Sequence, residues 1–159
     1  MKASAGGEPN DALSPDFVDF IACLDEQQVG FVLVGAYALG VHGVVRATGD
    51  LDVLYRRSRA NVQRLLAAMQ EFGAPAEIID EEALLTQDIV TQFGQPPYRI
   101  DLLNAIDGVT FAEVWKGAVA VAIGQHQVRV IGLHELKKNK RASGRKKDKD
   151  DLRRLDSMR

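Results

Sequence analysis

Apolar and polar positions along this chain switch between two periods, and the switches mark out its elements. Phe17, Phe20, Ile21 and Leu24 recur at helical spacing behind Ser14, a favourable N-cap, with Pro15 at the first helical position and Asp16 in the first turn. The pattern predicts an amphipathic helix ending near Gly30. Phe31 to Gly35 is a continuous apolar run closed by glycine and reads as a buried strand, Ala36 to His42 as a short helix, and Gly49 to Tyr55 as a second strand. Ser58 caps a further helix, whose face of Val62, Leu65, Leu66 and Met69 ends where Gly73 and Pro75 break it. Residues 77–85 are ambiguous.

Ile89 to Phe93 and Arg99 to Leu103 flank the turn sequence Gly94-Gln95-Pro96-Pro97, which puts Asp101 on the return arm of a hairpin. Thr110 to Trp115 reads as a short helix. Val119 to Ile123 and Gln127 to Ile131 flank Gly124-Gln125-His126 as a second hairpin. From Leu133 a helix runs to a break around Ser143-Gly144, and a terminal helix follows with Leu152 and Leu155 facing inward. Residues 1–13 are small, polar and glycine-containing and read as a disordered leader, leaving 14–159 as one domain. The elements add up to an α/β domain with a mixed sheet flanked by helices and a basic helical segment at its end.

Composition narrows the setting. A chain of 159 residues that is 46% hydrophobic can bury one sizeable core. A lone Cys23 excludes an internal disulfide framework and fits a reducing cytoplasm; its place in the first helix marks it as a small core residue. The first residues hold no apolar signal core and no apolar run reaches membrane-spanning length, so a cytoplasmic protein with no membrane partner is expected. The net charge of −2 hides an asymmetry. Met1 to Leu136 holds nine Lys and Arg against eighteen Asp and Glu, and Lys137 to Arg159 holds eleven against four. A basic tail beside an acidic body suits polyphosphate or RNA, or else simply balances the body.

The candidate chemistry lies in the second strand. With a side-chain period of two, Asp50 and Asp52 project from one face and Leu51 and Val53 from the other. Paired carboxylates repel, and a divalent cation relieves them. The glycine turn at Gly35, opening a helix, offers backbone N–H groups to a phosphate. Fourteen aspartates in the chain make an isolated Asp-x-Asp weak, and a second one, Asp148 and Asp150, lies in the basic tail. The first pair gains its weight from an apolar strand downstream of a strand-glycine-helix unit. His42, His126 and His134 show no metal-ligand spacing, and no serine or cysteine hydrolase arrangement is visible.

Val32-Leu33-Val34-Gly35-Ala36 followed by Arg46-Ala47-Thr48-Gly49-Asp50-Leu51-Asp52 resembles the nucleotidyltransferase superfamily, with Gly35-Ala36 in place of its Gly-Gly or Gly-Ser. The Arg-x-Thr-x-Asp-Leu-Asp form looks like the branch that includes AbiEii-type toxin nucleotidyltransferases, related small bacterial proteins and the aminoglycoside and lincosamide nucleotidyltransferases, and the tail from Lys140 to Leu152 looks like that of the AbiEii-like group. The resemblance implies that Asp101 is a third carboxylate, and that Asp50, Asp52 and Asp101 are catalytic and bind Mg2+ or Mn2+. It implies a nucleoside triphosphate as substrate, with Gly35, Ala36, Arg46, Thr48 and Lys140 on its phosphates and nucleoside monophosphate passing to a hydroxyl of RNA, protein or a small molecule. Asp148 and Asp151 match tail aspartates, for which capping and pairing with arginines is the expectation. Absence of the added helical domain of antibiotic-modifying relatives points to a minimal, toxin-like enzyme with a cognate antitoxin. Eight Lys and Arg between Lys137 and Lys149 favour an RNA acceptor such as tRNA. The alternative is a non-catalytic member of the fold that binds nucleotide or RNA.

Overall fold

A computed structural model describes residues 13–45 and 49–158. Ser14 Oγ accepts from the Phe17 amide and starts helix α1 (Pro15–Glu26), which buries Phe17, Phe20, Ile21 and Leu24. The helix stops short of Gly30, because Gln28 takes a positive φ and turns the chain into β1 (Phe31–Val34). Helix α2 (Gly35–Val41) follows directly, then β2 (Asp50–Tyr55) and α3 (Arg59–Phe72), the last capped by Ser58 and ended by left-handed Gly73. The ambiguous stretch resolves into a 3-10 turn at Ala76–Ile78 and helix α4 (Glu81–Thr86), which Asp80 caps. Hairpin strands β3 (Val90–Phe93) and β4 (Arg99–Leu103) lead to α5 (Phe111–Gly117), which opens with a capping box of Thr110 and Glu113. A second hairpin, β5 (Val119–Ile123) and β6 (His126–Val130), precedes α6 (Leu133–Ser143) and α7 (Lys146–Asp156).

The strands form one six-stranded mixed sheet in the order β3-β4-β2-β1-β6-β5. The hairpins and the β1/β2 pair are antiparallel, while β2/β4 and β1/β6 run parallel. This is the mixed α/β architecture that the residue pattern predicts. Leu51 and Val53 are fully buried, and the edge-to-face cluster of Phe20, Phe72 and Phe93 joins α1 and α3 to the β3 end of the sheet. Cys23 is half-buried against this core, and burial, followed by Glu71, pushes its thiol up to about 11. The packing that matters most for function is β2 against β4. Their register sets Asp52 opposite Asp101 and Asp50 opposite Arg99. Gly49 receives the hairpin turn: its carbonyl accepts from the Arg99 amide at 2.7 Å, and a Cβ there would lie 1.7 Å from the Pro97 oxygen. No helix among the described residues is long and apolar enough to cross a membrane.

Candidate active site

Three carboxylates share one face of two adjacent strands. Asp50 and Asp52 stand two apart on β2, and Asp101 sits beside Asp52 on β4. Strand β4 lies between β3 and β2, so Asp101 stands inside the sheet and not on its edge, and it is buried. Gly35 explains how Asp52 is seated. Its φ of +72° suits glycine, and a Cβ at this position would fall 1.9 Å from Asp52 Oδ2, so the carboxylate packs directly on the glycine backbone. Burial first, then the charges of Asp101 and Asp50, push the Asp52 carboxyl up to about 7; Lys147 pulls the other way.

Arg99 supplies the compensating cation. Its Nε donates to Asp101 Oδ1 at 2.9 Å, and its Nη2 donates to Asp50 Oδ2 at 2.9 Å and to Asp101 Oδ2 at 3.3 Å. Arg46 and Thr48, which the resemblance puts on phosphate, lie outside the described residues. Arg99 is not among the residues that the resemblance implies, although the two-residue period puts it on the same face as Asp101.

The acids open onto a cleft of about 790 Å³, with Gly35 and Ala36 on one wall and Lys140, Ser143, Arg145 and Lys147 of the tail helices on another. Lys140, which the resemblance puts on phosphate, lines the cleft but is buried, with Nζ 2.9 Å from Asp148 Oδ1 and 3.2 Å from Asp151 Oδ2. Asp148 also accepts from Ser143 Oγ and, at 2.9 Å, from Arg145 Nε. Burial opposes its charge, but the hydrogen bonds of Ser143, Lys140 and Arg145 outweigh that and hold its carboxyl down to about 2. Asp148 and Asp151 are thus structural partners, chiefly of a lysine. Lys147 is an exposed cation of the tail that lines the cleft and acts on Asp52, one of several tail lysines that the sequence alone does not distinguish.

Among the described residues, no three acidic, histidine or cysteine side chains converge on one metal position. The donors of Asp50, Asp52 and Asp101 are nevertheless all carboxylate oxygen, the type that suits Mg2+ and Mn2+, and the like charges that add to burial in lifting Asp52 are what such an ion relieves. By type of donor, though not as arranged around Arg99, these three residues fit a divalent cation.

No protein-family model and no curated protein matches the chain. Solved structures match its fold. A presumed nucleotidyltransferase, TM1012, from Thermotoga maritima is 13% identical with a TM-score of 0.60, over 90% of this chain and 91% of its own. The lincosamide antibiotic adenylyltransferase LnuA, with lincomycin bound, is 12% identical with a TM-score of 0.59, over 92% of this chain and 98% of its own. ANT(2'')-Ia in complex with adenylyl-2''-tobramycin is 14% identical with a TM-score of 0.52, over 87% of this chain and 84% of its own.

Proposed function

We propose that the cleft transfers a nucleoside monophosphate from a nucleoside triphosphate to a hydroxyl acceptor. The observation that carries this reading is the pairing of Asp52 with Asp101 on parallel neighbouring strands, Asp50 beside them, in a cleft that Lys147 and Arg145 also line. The acceptor oxygen bonds to the α-phosphorus as the bond from that phosphorus to the α–β bridging oxygen breaks. Pyrophosphate leaves, and Asp101 takes the hydroxyl proton. Lys147 and Arg145 neutralise the phosphates, while the backbone of Gly35 and Ala36 walls the phosphate side. Lys140 acts at one remove, by locking α7 to α6 and so setting where Lys147 and Arg145 stand. Mg2+ or Mn2+, held by Asp50, Asp52 and Asp101, would supply Lewis-acid neutralisation of the triphosphate.

Lys140 is locked in a buried pair, while Lys137, Lys138 and Arg145 are in ion pairs with at least one exposed partner, so the case for RNA rests on these three with Arg141, Lys146, Lys147 and Lys149. Size does not argue against a small-molecule hydroxyl either, since the chain spans 98% of LnuA. The test incubates the protein with each α-labelled triphosphate and RNA, cell protein, or a panel of lincosamides and aminoglycosides. Label should enter one acceptor class and vanish with Asp52→Asn and Asp101→Asn. No transfer in any arm would leave the non-catalytic binding alternative.

A further inference from the structure

Arg99 stands where a structural ion pair and a working cation look alike, and the geometry separates them. It shares a strand face with Asp101 two residues on, and lies opposite Asp50 in the β2/β4 register. Its one guanidinium therefore ties carboxylates from two strands, engaging both oxygens of Asp101 and Oδ2 of Asp50. These are oxygens that a divalent cation would need, so guanidinium and metal compete for the same lone pairs.

The two partners differ in freedom. The Asp101 side chain is only 11% exposed, whereas Arg99 is 44% exposed at the mouth of the cleft. The acid is fixed and the cation can turn into solvent at little desolvation cost. The arm to Asp50, half-exposed on both sides, is weak, and it leaves the two-oxygen hold on Asp101 as the contact that a doubly charged ion must break. The released guanidinium remains tethered in the cleft that Lys147 also lines, where a planar fork of donors suits phosphate oxygens.

We propose that Arg99 is an exchangeable cation: it bridges Asp50 and Asp101 until a divalent ion displaces it, and it then serves as a positioning residue for the triphosphate. The inference rests on the nucleotidyl-transfer reading of the site. It makes the metal-free state a held one and couples metal binding to phosphate binding through a single side chain.

The test measures Mn2+ binding to the full chain by the loss of the free-ion paramagnetic resonance signal, then titrates inorganic triphosphate into the Mn2+-loaded protein by calorimetry. Arg99→Gln should bind Mn2+ roughly two- to fivefold tighter, the range of a half-exposed ion pair, while its affinity for triphosphate falls severalfold. Arg99→Lys, which keeps the charge but loses the fork, should tighten Mn2+ less and keep more of the triphosphate affinity; it carries the test if the Gln variant loses its circular dichroism. Mn2+ affinity unchanged or weaker in both variants would make Arg99 a structural strap and overturn the inference. Tighter Mn2+ with unaltered triphosphate binding would overturn its second half. Asp52→Asn tells the two levels apart: if it leaves the parent's Mn2+ binding intact, the metal reading itself fails, and if it abolishes binding while Arg99→Gln changes nothing, only the role of Arg99 fails.

Discussion

The carboxyl of Asp52 is wedged between the Gly35 backbone and two like charges, and that has a measurable consequence for stability. Its ordinary value of 3.8 rises to about 7 in the fold. A raised acid contributes stability that is complete below the unfolded value and is lost as pH climbs through the folded one. Asp52→Asn keeps the shape and removes that loss. In the absence of divalent cations, melting temperatures of parent and variant should therefore agree near about pH 4 and diverge towards about pH 8, with the variant the more stable. Melts that stay parallel across this range would show that the carboxyl is not under this pressure. Gly35 and the two aspartates of β2 were legible in the sequence because each obeys a local rule, a glycine at a strand end and a two-residue period. Arg99 obeys the same period, but an exposed strand arginine gives no sign of what it faces until β4 is laid beside β2.

At the scale of elements, the joint between α6 and α7 inverts the usual burial pattern. The inward stripe of α7 is Asp148, Asp151 and Leu155, with Leu152 only half-buried. Residue pattern points to Leu152 and Leu155 as the core positions, and Leu155 alone meets that expectation in full. The two aspartates are tolerable in the interior because Lys140 of α6 is buried with them and its ammonium group reaches both. A hydrophobic pattern cannot reveal such an exchange, because it scores all three residues as surface. Removing one member strands the others in the interior, which costs about 3–5 kcal/mol. Lys140→Met should lower stability to urea by about that amount, and Asp148→Asn by a similar one, with the double variant losing less than the two together. Because Asp148 is held down to about 2, its contribution is present above 3.8 and is lost as pH falls towards about 2, opposite in sign to Asp52. A cost under about 1 kcal/mol for Lys140→Met would mean that the joint behaves as a surface ion pair.

At the scale of the whole molecule, the elements were legible and their neighbours were not. The order of the elements, the caps at Ser14 and Ser58 and both hairpins follow from local spacing, with several strand and helix bounds moved by one or two residues, while the end of α1 fell earlier and residues 77–85 lay beyond it. Sheet order depends on pairings between distant segments, such as β2 with β4 and β1 with β6, and no local period encodes those. The same long-range assembly turns the charge asymmetry into a device. Acids of the sheet and cations of the C-terminal segment line one cleft. A divalent ion answers the acids and a triphosphate answers the cations, so the two ligands together should tie the sheet to α7 as neither does alone. At about a hundred times its dissociation constant a ligand adds about 2.7 kcal/mol, worth roughly 5 to 11 °C in a chain of this size. Mg2+ or Mn2+ with a nucleoside triphosphate should therefore raise the melting temperature by that order, beyond the sum of the separate shifts, and Asp52→Asn should remove the excess. Shifts that merely add, or an excess that survives in Asp52→Asn, would place the two ligands at independent sites.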